Sequence, residues 1–424
     1  MANQVQGYSD KINFFAPTLV DQAIQSRTIH HQQPSLISSE VIEFNVEGSD
    51  GSFYTDLHNS TLKLEIGILD SKKQPVTPKH NVALVNLPLH SVWNQIDFYI
   101  GNTLVSRDIG NNYAYKAIID TLLNHNNDSR ETELAAAGLF LDSPGFYNHI
   151  GSENIGFYER SNFTKDGGVW QLESPVLLDE FGIEKYLPGN LSFKLKFWKN
   201  CDDFCLLHSD GEKYYVHIES VYFKQHRVNI NPSVLLAQND LLKQMNASYT
   251  YPGSYIKQIA LTPGSMGGTY DNFLAGKNPY WVCVSFIDSE AVNGKASLNP
   301  FNFENCNICE IGIYKNNEQF TNKPYQPDFE RGHYVSEYLA LLGKTSKNSP
   351  NFLTSPDFKD GCCLFVFNQA AYADSTYCGY VSPGASFKLE FKFKNPLKKH
   401  MTCLIYAKFY KTLEIDFARN VYVQ

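Results

Sequence analysis

The sequence predicts an all-β protein made of two similar halves. Aromatic residues form 14% of the chain, with 29 Phe and 26 Tyr, and such side chains are favoured on pleated, half-buried surfaces. From Ser39 onward, short runs of period-two alternation are separated by Gly, Asn, Asp and Pro, the pattern of strands and turns. SFKLKFWKN at 192–200 returns as SFKLEFKFKN at 386–395, and VYFK at 221–224 returns as IYAK at 405–408. The two echoes keep their order about half a chain apart, which points to two copies of one fold. A chain of 424 residues is long enough for two domains that each bury a core.

The elements follow in order. Residues 1–36 are polar, and QAIQSRTIHHQQPS shows no apolar stripe, so they are expected to form an N-terminal arm. In TLKLEIGI, Leu62, Leu64, Ile66 and Ile68 share one face while Lys63 and Glu65 take the other. Gly101 and Asn102 between two apolar runs predict a hairpin. NNYAYKAIIDTLLNH places Tyr115, Ile118, Ile119 and Leu122 at helical spacing, with Asn112 as an expected N-cap of an inserted helix. Residues 143–190 are rich in Gly, Ser, Asn and aromatics without steady periodicity and predict a long loop. NPSVLLAQNDLLKQM predicts a helical linker: Asn231 caps, Pro232 suits the first turn, and Val234, Leu235, Leu241 and Leu242 share a face. The expected division is an arm over 1–36, a first β domain over 37–230, a linker over 231–247 and a second β domain over 248–424.

The charge pattern argues against several chemistries. The net charge is −8, from 44 acidic and 36 basic residues without long blocks, so no basic stripe is present to track a phosphate backbone. SFKLEFKFK mixes Phe and Lys as single-strand binding platforms do. Here the two types alternate, which sends the rings to a core and the lysines to solvent. No run approaches 18 apolar residues, and MANQVQGYSDKINFF lacks the basic and apolar regions of a signal peptide. Nine cysteines, an odd number, predict reduced thiols and a cytosolic or nuclear chain, with the sequons at Asn59 and Asn162 unused.

Cys306 and Cys309 form a C-x-x-C pair, but an alternating strand would point their sulfurs to opposite faces, whereas a zinc knuckle converges them from a turn. Cys201, Cys205 and His208 lie about a hundred residues away, and all these thiols read as small buried hydrophobes. PGSMGG, with Gly264, Ser265, Gly267 and Gly268, lacks the Lys-Ser/Thr of a phosphate loop and reads as a glycine turn. Neither G-x-S-x-G nor H-E-x-x-H occurs, and the twelve histidines contain no H-x-H pair. The carboxylates of NDLL and CDDF read as solvated loop charge. The sequence therefore assigns no catalytic, cofactor-binding or metal-binding residue, and a non-enzymatic protein is expected.

NPFNFENCNICEIGIYKNNEQ, the stretch DDFCLLHSDGEKYYVHIESVYFKQHRVNINPSVLLAQNDLLKQ and the ending CLIYAKFYKTLEIDFARNVYVQ resemble the capsid proteins of Polinton/Maverick elements and adintoviruses. EVIEFNVEGSDGSFYTDLHNSTLKLEIGI and LPLHSVWNQIDFYIGNTLVS are similar to that family's first strands, and the matches run in order from about residue 12 to the C-terminus. The chain departs from the family at Tyr113-Ala114-Tyr115-Lys116, where a Tyr-Pro-Tyr-Arg type of sequence is usual, and around Asn124 to Asn127. The resemblance implies a hexon-like major capsid protein. Its fold would be a double jelly roll: two tandem eight-stranded jelly-roll β-sandwiches with a few inserted short helices. It further implies a homotrimer of pseudo-hexagonal outline, neighbouring capsomers and penton or minor capsid proteins as partners, and a place in a virion capsid after synthesis in host cytoplasm. No cofactor, membrane segment or sequence-specific nucleic-acid partner is implied. Long connections at strand ends, 143–190 and part of 320–360, are expected to form the outer face. Two readings compete: a monomeric lectin-like binding module with the same strands, and a minor capsid or vertex protein.

Overall fold

The computed structural model describes residues 22–48, 51–209, 211–274, 276–321, 323–342, 352–368 and 385–423. Of twenty strands among the described residues, sixteen build the framework of two sandwiches; the short strands Leu36–Ile37 and Val421–Val423 each extend one of their sheets, and Ala83–Leu84 pairs with Leu206–Leu207. In the first, β1 (Ile24–Gln32), β2 (Val41–Val46), β3 (Phe53–Leu69), β4 (Trp93–Ile100), β5 (Thr103–Leu104), β6 (Trp170–Pro175), β7 (Phe193–Lys199) and β8 (Tyr215–Ile230) form sheets ordered β1-β8-β3-β6 and β2-β7-β4-β5. In the second, β9 (Ala247–Leu261), β10 (Gly267–Asp271), β11 (Trp281–Asp288), β12 (Ile308–Lys315), β13 (Glu318–Gln319), β14 (Phe365–Asn368), β15 (Phe387–Phe393) and β16 (Met401–Ile415) form sheets ordered β9-β16-β11-β14 and β10-β15-β12-β13. Adding eight to each strand number of the first roll gives the second. The two halves therefore share one jelly-roll topology, and every pairing between these strands is antiparallel.

The repeated sequences occupy equivalent places. SFKLKFWKN supplies β7 and SFKLEFKFKN supplies β15, each the second framework strand of its sheet, while VYFK lies in β8 and IYAK in β16. Alternation explains why both copies survive. Phe193, Leu195 and Phe197 are buried, as are Phe387, Leu389, Phe391 and Phe393. The interleaved lysines instead meet carboxylates at the surface: Lys196 pairs with Glu43 at 2.8 Å and Lys388 with Glu390 at 2.7 Å. Rings join the facing sheets: Phe44 of β2 lies 6.2 Å from Phe223 of β8, and Phe286 of β11 lies 5.2 Å from Phe391 of β15. TLKLEIGI behaves as its pattern requires, with Leu62, Leu64, Ile66 and Ile68 buried and Lys63 paired to Glu65 at 3.3 Å.

Two expectations are corrected. Residues Ile24–Gln32 of the expected arm form β1, which pairs along β8 from Ile24↔Ile230 to Gln32↔Phe223. An edge strand has a single neighbour, and β1 keeps most of its side chains exposed, so its sequence shows no alternation. Residues 1–21 lie outside the described residues. The expected loop over 143–190 contains a helix over Ile155–Thr164 and strand β6, which pairs with β3 from Thr61↔Pro175 to Ile66↔Trp170. Trp170 and Leu172 are buried in the sandwich, so this segment is not a single outer loop. In the 320–360 region, helices span Val335–Leu342 and Ser355–Lys359, and residues 343–351 lie outside the described residues.

The remaining local expectations hold with one change. Gly101 takes φ +58° in the β4–β5 hairpin, a value open to glycine without steric cost. The inserted helix, α1, spans Tyr113–Asn124, and the linker helix, α2, spans Pro232–Leu242 with the Asn231 side chain accepting from the Ser233 N–H. Asn112 does not cap α1 with its side chain: its amide donates to Ile109 O and accepts from Gln258 of β9. PGSMGG opens as the turn between β9 and β10, with Gly264 at φ +85°, and its Gly267 and Gly268 begin β10.

Because Leu195 and Leu389 are equivalent and each fully buried, replacing either with Ala should destabilise its roll by about 2–5 kcal/mol, whereas Lys392→Ala on the solvent face should cost under about 0.5 kcal/mol. Urea unfolding of the three variants measures this, and equal effects from core and surface changes would contradict the alternation.

Candidate functional site at the seam between the rolls

The two rolls meet across a band of buried charge. Helix α1 carries Lys116 and Asp120 on one face, four residues apart and so one turn apart. The Lys116 ammonium donates to Asp120 Oδ2 at 2.9 Å and to Leu177 O at 2.9 Å, and pairs with Asp179 Oδ1 at 3.2 Å. Asp120 Oδ1 in turn receives Lys408 Nζ at 2.7 Å and the Tyr406 hydroxyl at 2.8 Å, both from β16 of the second roll. Asp179 reaches the other long strand: its carboxylate accepts the Ser254 N–H at 2.6 Å and the Ser254 hydroxyl at 2.7 Å, from β9. Asp108 completes the band, accepting Lys277 and Lys411 at 2.8 and 2.7 Å. The Lys411 stem runs over Gly253 so closely that a Cβ at that position would lie 2.6 Å from its Cδ.

Burial fixes the electrostatics. Desolvation alone would raise the Asp120 carboxyl, but Lys116 and Lys408 beside it reverse that and hold it well below the usual carboxylate range. Desolvation would likewise lower Lys116, and Asp120 and Asp179 outweigh it and keep the ammonium charged. Every charge in this group has a partner of opposite sign; Lys116, Asp179 and Lys411 are buried, while Asp120, Lys408, Asp108 and Lys277 at the edge of the band stay partly exposed. His90 stands nearby, buried, with its Nδ1 2.9 Å from the Tyr113 hydroxyl, and burial, then Lys116, lowers it to about 3, so the imidazole is neutral.

A second junction lies at the NPFNF segment. Arg160 and Asp142 form a fully buried pair at 2.7 Å, and the other Asp142 oxygen accepts the Asn299 amide at 2.9 Å. Asn299 also donates its side chain to Tyr147 O at 3.2 Å and its backbone N–H to Asn148 Oδ1 at 2.7 Å. Phe301, two residues on, meets Tyr115 of α1 and Phe204 edge-on at 5.9 Å each. At the far end of the seam, a groove of about 650 Å³ opens beneath α2, lined by Ile24, Tyr54, Tyr186, Val234, Leu241 and Tyr249 among others.

The cysteines and histidines considered from the sequence are not brought together. Cys306 is not on the strand: it sits in a left-handed turn at φ +48° before β12 and packs against the main hydrophobic core, where burial pushes its thiol up. Cys309 lies on β12 with its thiol toward Lys392 O at 3.5 Å. Cys205 is buried with its thiol toward Ser91 O at 3.8 Å, Cys201 is exposed, and His208 is buried beside the Tyr214 ring at 4.8 Å, all three in the first roll. Among the described residues, eight cysteines are free and no cluster of three or more His, Cys, Asp or Glu is placed to hold a metal ion. No helix among them is long and apolar enough to cross a membrane. The seam residues were missed because CDDF, NDLL and the other acidic pairs attract attention by adjacency, whereas these partners come from distant segments. The departure at Lys116 was the one local signal.

Comparison with solved structures places the architecture. The chain superposes on the Sputnik virophage structure at 3.5 Å resolution with a TM-score of 0.65 and 12% identity, covering 100% of this chain and 93% of the other. The fold is that of the double jelly-roll viral major capsid proteins. The Faustovirus major capsid protein matches at a TM-score of 0.53 and 7% identity, over 94% of this chain and 92% of that one. The mavirus major capsid protein matches at 0.51 and 12%, over 100% and 96%. Among curated proteins, the uncharacterized protein F54H12.2 of Caenorhabditis elegans is 24% identical over 402 residues, 88% of this chain and 91% of its own length. No family model matches.

Removing the Asp120 charge with Asp120→Asn should cost about 3–5 kcal/mol, since Lys116 and Lys408 lose a buried counter-charge. The pH dependence has a definite sign. With the folded carboxyl held below its unfolded value of about 3.9, its contribution is complete above about pH 4 and is lost as the pH falls further. Thermal melts from pH 2 to 6 should therefore show a steeper acid loss for the natural chain than for Asp120→Asn, and parallel curves would remove Asp120 from the network.

Proposed function

We propose that this chain is a structural major capsid protein of the Polinton/Maverick and adintovirus type, and that three copies form a hexon-like capsomer of pseudo-hexagonal outline. The observation that carries the reading is the repetition of one strand order in two rolls of a single chain, together with the likeness to the Sputnik virophage structure and to the mavirus and Faustovirus major capsid proteins across nearly the whole length. Two similar rolls per chain around a threefold axis give six similar bodies in a ring, a shape that tiles a surface. Closure about the axis follows from heterologous contacts whose rotation completes a ring. A permanent trimer of this kind is expected to bury roughly 2,000–5,000 Å² per interface, with smaller contacts between neighbouring capsomers and penton or minor capsid proteins in the shell. The function on this reading resides in surfaces, and the protein acts in a virion capsid.

Candidate surfaces are already visible. Phe146, Ile155, Tyr158, Phe163 and Val169 are exposed around the helix over Ile155–Thr164 on the first roll, where Phe163 stacks on Trp170 at 4.3 Å. The seam fixes the angle between the rolls within a chain, and so would set the outline that three chains present.

The purified chain should sediment at three times its 48.1 kDa mass and show hexagonal projections by electron microscopy. A stable monomer would instead favour the binding-module reading, and fivefold rings would favour a vertex protein. Residues 1–21 are proposed to tie a capsomer to its neighbours or to inner-shell proteins. Because β1 begins at Ile24, the informative truncation removes residues 1–21 only. Capsomers should then still form while shell assembly fails, and intact shells from the truncated chain would end that role.

A further inference from the structure

The seam holds one acidic group that the ion network leaves over. Glu180 sits in the 3₁₀ turn Asp179–Gly182, fully buried, directly after the Asp179 that grips Ser254. One of its oxygens accepts the Tyr251 hydroxyl of β9 at 3.2 Å, while Oε2, also buried, has no hydrogen-bond partner. The turn cannot swing this side chain out to water at small cost, because Phe181 is locked between Phe98 at 5.3 Å and Phe223 at 6.1 Å. The groups acting on Glu180 come from both rolls: Asp179 on its own turn repels a second negative charge, while Lys411 of β16, itself bonded to Asp108, the backbone N–H of Glu180 and the Tyr251 hydroxyl of β9 favour the charged form by less than burial and Asp179 oppose it.

We propose that the Asp179–Glu180 pair is a proton-operated latch between the two rolls, closed while Glu180 keeps its proton and loosened when that second carboxyl ionises. Two adjacent buried carboxylates share one dry site poorly, and an anionic Oε2 without a donor would carry an unmet desolvation cost. The strand that feels this is β9, since it supplies both Ser254, held by Asp179, and Tyr251, held by Glu180. Burial, then the Asp179 charge, raises the Glu180 carboxyl to about 7. The folded state therefore binds a proton that the unfolded chain releases near pH 4.3. Stability from this group is complete on the acidic side of that window and declines as the pH rises through it, the opposite sign to Asp120. The inference concerns the fold within one chain and stands apart from the capsid reading.

Hydrogen exchange on the full chain tests it. Protection factors of backbone amides in Ala247–Leu261, corrected for intrinsic exchange rates, should fall by roughly tenfold or more between pH 5.5 and 8.5, since one pKa unit corresponds to a factor of ten. The near-isosteric Glu180→Gln chain, which cannot ionise, should hold its protection within about twofold over the same range. A flat profile for the natural chain, or the same fall in both, overturns the proposal. If Glu180→Gln does not fold, the carboxyl carbon resonance of Glu180 in the natural chain decides: a titration midpoint near 7 supports the latch, and one below about 5 removes it.

Discussion

The relation between the two rolls depends on Lys116 finding Asp120, Asp179 and Leu177 O at once. A buried ammonium without these partners would be a large liability, and with them it is a specific joint, because each acceptor fixes a direction as well as a distance. Asp120 then passes the constraint to Lys408 and Tyr406 on β16, and Asp179 passes it to Ser254 on β9. Both long strands of the second roll are tied to the first through one helix and one turn.

Duplication makes the rest of the architecture economical to specify. Each roll needs two sheets whose inward faces meet, and one alternating strand of Phe and Leu next to the edge of a sheet supplies much of that face. The lysines of the same strands stay on the outer face beside Glu43, Glu390 and Glu310. Basic and aromatic content in these segments thus follows from the sandwich, without a nucleic-acid ligand.

The likeness to the Sputnik virophage structure and to the mavirus and Faustovirus major capsid proteins spans nearly the whole chain at 7–12% identity. At such distance shared architecture persists because alternation and turn chemistry can be met by many residues. The NPFNF segment shows how a short motif earns its place physically: Asn299 bridges Asp142, Tyr147 and Asn148, and Phe301 packs on Tyr115 and Phe204.

By itself the sequence determined what depends on neighbours within a few residues: the alternation of Leu62 to Ile68, the hairpin at Gly101, the helices at Tyr113 and Pro232, and the echo that pairs β7 with β15. It could not show β1, because an edge strand exposed along most of its length carries no periodic signal, nor β6, a short strand whose identity comes from pairing with β3 more than a hundred residues earlier. The lost cap at Asn112 was likewise set by a contact from elsewhere, since its side-chain oxygen accepts from Gln258 of β9. Only the tertiary structure brought Lys116, Asp120, Asp179 and Glu180 against Ser254, Tyr251, Lys408 and Lys411. The energy of a buried charge depends on what surrounds it in space, and local sequence spacing carries no record of partners that arrive from the other half of the chain.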